Sequence, residues 1–280
     1  MRASSLLVVS LLLSSCADTG FTGPDSRVDS SGVTDLFVGE PSFLPDGFEL
    51  GKAKVFAHTE EELFAVDPET FAITSVAPFS WPVGTDIPKM TDIALDKQGH
   101  MIGVSKTTVY SVDPLTAKCT RLSVFPSTQY HFVGLSFVVD TTSVDKREYL
   151  MALDKDGTVY EINPATGATK ARGSLGGGLQ GGGDVVSVKG FATVATVTPE
   201  GSATDWLALV DPGNGKATLV GDTGYAKVWG LGYWKGKVHG FATTGEFLLI
   251  DVATGQATLK TKNPQIWWGA GVTTEAPVIE

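Results

Sequence analysis

The chain has 280 residues, 42% of them hydrophobic, and can therefore bury the core of one large all-β domain or of two smaller domains. Charged residues make up only 19% while Gly numbers 33, a balance that favours short strands and tight turns over long charged helices. A net charge of −10, with no run of Lys or Arg, speaks against binding a nucleic-acid backbone, which needs a basic surface to replace counterions.

The first segment, MRASSLLVVSLLLSSC, has one basic residue, Arg2, then an apolar run from Leu6 to Leu13 that is too short to span a bilayer. These are the features of an export signal over residues 1–15. Leu13-Ser14-Ser15-Cys16 resembles the lipobox of bacterial lipoproteins, which implies cleavage before Cys16, acylation of its thiol and anchorage to a membrane. The other reading is an ordinary signal peptide with a chance cysteine. By analogy with lipoprotein sorting, Ala17 and Asp18 favour the outer over the inner membrane of a bacterial cell envelope.

Cys16 and Cys119 are the two cysteines, so a modified Cys16 leaves Cys119 without an internal partner. Cys119 lies in an alternating stretch and is expected to be a buried structural thiol. Residues 16–48, rich in Ser, Gly, Asp and Pro, read as a flexible tether, with a short edge segment near Leu36 to Val38. The folded domain is expected over 49–280.

Within that domain the chain returns to one pattern: LFAVDPETFAITSV from Leu63, VYSVDPLTAKCTRL from Val109, VYEINPATGATKAR from Val159, LALVDPGNGKATLV from Leu207 and FLLIDVATGQATLK from Phe247. The Asp or Asn of each falls at 67, 113, 163, 211 and 251, at intervals of 46, 50, 48 and 40 residues. Each copy is an alternating run, a turn in which Asp can bond amides ahead of it and Gly can take positive φ, and a second alternating run: a β-hairpin. Further apolar segments lie upstream of each hairpin, as in MTDIALD and HMIGVS before the second, which brings each unit to about four short strands.

That count and period predict propeller blades. IWWGAGV near the end matches VWGLGYW, the first strand of the preceding unit, but no hairpin follows it; KVFAHTEEELFAVD from Lys54 matches KVHGFATTGEFLLID from Lys237, but lacks a first strand before it. The two partial units complete one another, which predicts an all-β, five-bladed β-propeller closed by pairing of the C-terminal strand with the N-terminal blade. Closure removes the exposed sheet edges of an open array. From Lys52 onward the chain resembles five-bladed β-propellers with Asp-Pro-x-Thr-Gly turns found in bacterial extracytoplasmic proteins. It lacks the Trp positions of quinoprotein repeats and the paired signatures of WD40 blades, so nothing is carried over from either.

Alignment of the first strands places Ile93, Leu135, Val185, Leu231 and Ala270 in one packed apolar column, with mostly Gly, Ala and Ser alternating beside them. Asp92 and Asp184 interrupt a small-residue column. Facing a water-filled axis, the two carboxylates would suit a hard cation such as Ca²⁺; the other reading is solvated residues that cap amides at a strand start. The segments leading into these strands carry Trp81, Tyr130, His131, Tyr225, Trp229, Trp267 and Trp268. Of these, Trp81, His131, Trp229, Trp267 and Trp268 are the candidate ligand-binding residues. Such a mouth suits sugar rings or a peptide with aromatic anchors, and the other reading is packing between blades.

Neither a G-x-S-x-G elbow, nor H-E-x-x-H, nor a zinc-spaced Cys/His cluster occurs, and LGGGLQGGG lacks the Gly-Lys-Ser/Thr of a phosphate loop. DKDG from Asp154 lacks the Glu that a calcium loop requires at its twelfth position. Two functions stay open. One is a binding or scaffold lipoprotein that holds a glycan, peptide or envelope protein. The other is an extracytoplasmic hydrolase of glycosidase or lactonase type with Asp92 and Asp184 as its acid pair, although no third acid occupies the aligned columns.

Overall fold

The computed structural model describes residues 55–84, 87–141 and 143–279; the export signal, Cys16, the tether and the segment near Leu36 lie outside the described residues. The described chain forms five four-stranded antiparallel sheets, and they are the five expected blades. Blade 2 holds β4 (Asp92–Leu95), β5 (Met101–Val104), β6 (Thr108–Val112) and β7 (Cys119–Val124). Blade 3 holds β8 (Phe132–Val139), β9 (Glu148–Asp154), β10 (Thr158–Ile162) and β11 (Thr169–Ser174). Blade 4 runs through β12 (Gln180–Ser187), β13 (Thr193–Thr198), β14 (Trp206–Val210) and β15 (Ala217–Asp222), and blade 5 through β16 (Val228–Trp234), β17 (Lys237–Ala242), β18 (Glu246–Ile250) and β19 (Ala257–Lys262).

Blade 1 is composite. Its β1 (Val55–His58), β2 (Glu62–Val66) and β3 (Ile73–Pro78) come from the start of the described chain, and its first strand is β20 (Gly269–Gly271). Ala270 pairs with Ala57 and Gly269 with His58 in antiparallel register, so the ring closes as the two partial repeats predict. The first strands β4, β8, β12, β16 and β20 neighbour one another in that order around the axis.

The repeated turn has one geometry in all five blades. Its fifth residue, Phe71, Ala117, Gly167, Gly215 or Gly255, has φ between 54° and 76° and donates its amide to the carbonyl of the Asp or Asn that opens the turn. The side chain of that Asp or Asn accepts an amide from two residues ahead, as Asp67 does from Glu69 and Asp251 from Ala253. The motif also has a partner outside its own blade. Pro164 in the blade 3 turn accepts the Ser123 hydroxyl of blade 2, and a Cβ on Gly167 would lie 2.2 Å from the Val124 carbonyl oxygen. Thus the repeat hooks each hairpin onto its neighbour, which is why the spacing recurs.

Beyond the turn, the outer pair of every blade shifts register at the equivalent place, from Leu63/Phe64 in blade 1 to Phe247/Leu248 in blade 5. Such bulges add twist, which each blade needs in order to splay from the axis. The core lies between blades. Phe191 of blade 4 stacks on Tyr233 of blade 5 at 4.2 Å, and Phe64 of blade 1 meets Trp267 edge-on at 5.3 Å beside the Phe241–Phe247 stack of blade 5. The predicted apolar column of Ile93, Leu135, Val185, Leu231 and Ala270 is buried throughout. Cys119 is a buried free thiol, with its pKa pushed up to about 12 by desolvation.

Candidate functional site

Two places gather chemistry, one on the axis and one at its mouth. On the axis, Asp92 opens β4 and Asp184 sits within β12, so the topology brings blades 2 and 4 together at one level. Both side chains are completely buried. Asp184 Oδ1 accepts the amides of Val185 at 2.6 Å and Leu135 at 3.3 Å, and its Oδ2 accepts that of Leu231 at 2.6 Å. Asp92 Oδ1 accepts the Ile93 amide at 2.8 Å, and Oδ2 meets no donor.

That asymmetry assigns the proton. The two carboxyls are in hydrogen-bonding contact, and burial raises the pKa of both, that of Asp92 further through the adjacent Asp184. Asp184, with three amide donors, is the group better able to carry charge, so Asp92 keeps its proton and donates to Asp184. Asp92 does meet an amide at its strand start, but as a buried and not a solvated cap, while Asp184 binds amides within β12, β8 and β16.

The sequence gives no notice of the third member. His58, at the end of β1, is buried, with Nε2 3.7 Å from Asp92 Oδ1. Its Nδ1 donates to the Thr59 carbonyl at 2.7 Å, so the proton of the neutral ring sits on Nδ1 and the Nε2 lone pair faces the carboxyl. Burial lowers its pKa to about 4, which keeps the ring neutral. The available signal is positional: in the aligned repeat, KVFAH against KVHGF, an apolar Phe241 stands where His58 stands.

For the expected Ca²⁺ site, the geometry at Asp92 and Asp184 supplies few free oxygens. Ca²⁺ takes about six to eight oxygen ligands. Here both oxygens of Asp184 face amide donors, and a Cβ on Gly269 would lie 2.3 Å from both Asp92 Oδ1 and His58 Nε2. At this level the first strands meet too closely for the water-filled axis that a hydrated cation needs. Among the described residues no group of three or more His, Cys, Asp or Glu is arranged to hold a metal.

The mouth is built from the segments that lead into β4 and β20 together with the β5–β6 turn. A groove of about 580 Å³ runs there, within the usual size range of small-molecule sites. Trp268 forms one wall and stands edge-on to Trp229, ring centres 5.7 Å apart. Trp81 joins through Tyr110, a groove residue whose ring it meets edge-on at 5.1 Å. Three of the five expected aromatic-face residues therefore share one region.

The other two do not. His131 is exposed at the start of blade 3, its amide donating to Asp154 Oδ2 at 2.7 Å. Trp267 corrects the sequence reading outright: it is fully buried, edge-on to Phe64 and Phe241 at 5.3 and 5.6 Å. Adjacent residues of an extended segment point to opposite sides, so Trp267 and Trp268 cannot both face the groove. The rest of the lining is largely apolar, with Pro88 and Tyr110, and carries Lys89, Lys106, Arg121 and Thr107, none of which an aromatic search selects.

No protein-family model matches the sequence, and no characterised protein matches it significantly. Solved structures share the fold at low identity. A chain from a nidogen/laminin complex is 8% identical with a TM-score of 0.48, over 80% of this chain and 99% of that one. A gluconolactonase from Xanthomonas campestris is 12% identical with a TM-score of 0.46, over 75% and 71%. BamB from Moraxella catarrhalis is 12% identical with a TM-score of 0.39, over 75% and 62%. The likeness is one of β-propeller architecture.

Proposed function

We propose that the chain is an exported, lipid-anchored binding or scaffold module of the bacterial cell envelope, whose β-propeller holds a glycan, peptide or envelope protein at its aromatic mouth. The anchor rests on Leu13-Ser14-Ser15-Cys16, and a mature N-terminus found by mass spectrometry without acyl chains on Cys16 would remove it. One observation carries the preference for binding over hydrolysis: the acid pair that the described residues place on the axis is completely buried, while Trp268, with Trp229 edge-on behind it, lines an open groove. An acid that cannot touch substrate neither protonates a leaving group nor attacks one.

The test is a glycan and peptidoglycan-fragment array probed with the full chain in detergent, beside Trp229→Ala and Trp268→Ala. Specific binding that both substitutions abolish supports the reading. Turnover of a sugar or lactone substrate, lost in Asp184→Asn with folding intact, replaces it with the hydrolase.

A further inference from the structure

The groove beside Trp268 has a charge opposite to that of the whole molecule. In a chain of net charge −10, its described lining residues include Lys89, Lys106 and Arg121 and no carboxylate. Lys89 is engaged, its Nζ 2.6 Å from Glu60. Lys106 and Arg121 form no ion pair among the described residues, and both side chains are exposed. Two cations without an ion-pair partner among the described residues, both lining one concave site in an acidic protein, mark a place for an anion.

The rest of the wall limits what that anion is. Trp268 lines the groove with an indole ring, the kind of surface on which the apolar side of a pyranose stacks, and Thr107 brings a hydroxyl suited to sugar hydroxyls. Arg121 carries a planar fork that matches a carboxylate with two parallel hydrogen bonds, and Lys106 adds a point charge. From this combination we infer that the groove binds a short acidic oligosaccharide, with a sugar ring on Trp268 and a ring carboxylate on Arg121 and Lys106. This rests on the binding reading above and gives it a ligand class.

The experiment is calorimetric titration of the full chain in detergent with a galacturonate trimer and with its methyl ester, which has nearly the same shape and no charge. The acid is expected to bind at least about tenfold more tightly at low salt, the weight of one charge-assisted pair. That margin should shrink with added salt and vanish in Lys106→Gln/Arg121→Gln, while Trp268→Ala weakens acid and ester alike. Circular dichroism and thermal melts confirm that the variants fold. Equal binding of acid and ester, unmoved by the double substitution, overturns the inference and leaves the binding reading standing. Competition by inorganic phosphate at the same concentration as the trimer also overturns it, since the groove then reads charge and not sugar. If neither form binds, but other glycans or peptides bind and are lost in Trp268→Ala, the ligand class is wrong and the site is right. If no array ligand binds at all, the acidic-saccharide inference falls and the binding reading is left with an envelope protein as its partner.

Discussion

Asp184 Oδ2 accepts the amide of Leu231 at 2.6 Å, so a side chain of blade 4 fixes the first strand of blade 5. Its other oxygen accepts Leu135 from blade 3 as well as Val185 beside it. Ladder hydrogen bonds stay within each sheet, and here one buried carboxyl ties three blades together at the axis. Asp184→Ala leaves three buried amides without an acceptor and is expected to cost roughly 3–5 kcal/mol. Asp184→Asn keeps one oxygen and should lose about half as much. Urea midpoints of the two variants check this, and an Ala variant indistinguishable from wild type would mean that strand packing alone holds the axis.

The same pair sets a pH dependence whose sign can be worked out. Burial raises both carboxyls, Asp184 to about 8, so the folded state keeps protons that unfolded Asp residues release near pH 4. Their contribution to stability is therefore fully present only below about pH 4 and is lost progressively as pH rises from there, through about 8 for Asp184. Glu148 and Asp205, also raised by burial, act in the same direction. His58 and His239 act in the opposite one: burial lowers each to about 4, so stability is lost as pH falls from about 6.5 toward 4 and the unfolded imidazoles take up protons. Above about pH 6.5 the carboxyls titrate without that opposition. Unfolding free energy should fall between pH 6.5 and 8, and fall less in Asp92→Asn, whose amide donates to Asp184 without titrating. Superimposable profiles for variant and wild type would locate the titration elsewhere.

The turn motif predicts a contrast between two glycines. Gly167 has φ +72° and its Cβ position lies 2.2 Å from the Val124 carbonyl oxygen, whereas Gly201 has φ +76° with nothing within 4 Å. Gly201→Ala meets only the left-handed backbone and should cost about 1 kcal/mol. Gly167→Ala must also push apart blades 2 and 3, and about 2–4 kcal/mol is expected. Ala117 occupies the equivalent turn position with φ +54°, so the backbone alone does not forbid the change. Thermal denaturation of both variants measures the part that belongs to the inter-blade contact.

The ring was legible because its signals are local and repeated. Each hairpin carries its own turn chemistry, and the mismatch between first and last units is a property of pattern alone. The first-strand column survived for the same reason. What the pattern could not convey was direction and depth. It placed Asp92 and Asp184 on one axis and left open whether that axis was wet, which depends on how closely Gly269 and its neighbours approach. His58 stayed hidden because a lone histidine in a strand acquires meaning only from Asp92, which is 34 positions away along the chain and belongs to the next blade. The cations of the groove were missed because Lys89, Lys106 and Arg121 lie on separate segments of blade 2, and only packing of blade 1 against it brings Trp268 beside them.

The adjacent tryptophans give the sharpest separation of packing from binding. Trp267 is fully buried between Phe64 and Phe241, so Trp267→Ala opens a large cavity and is expected to cost about 3–5 kcal/mol, with weaker ligand binding only in proportion to the fraction unfolded. Trp268 is half-buried at the groove, and its link to blade 1 is its backbone amide, donated to the His58 carbonyl at 2.8 Å. Trp268→Ala keeps that amide, so it should cost about 1 kcal/mol or less while removing most of the saccharide affinity. Melts and titrations on both variants yield four numbers, and the expected pattern is a crossed one, with stability lost in the first and affinity lost in the second. If Trp268→Ala instead lowers stability as much as Trp267→Ala and leaves affinity intact, the ring is a packing element and the ligand lies elsewhere on the propeller.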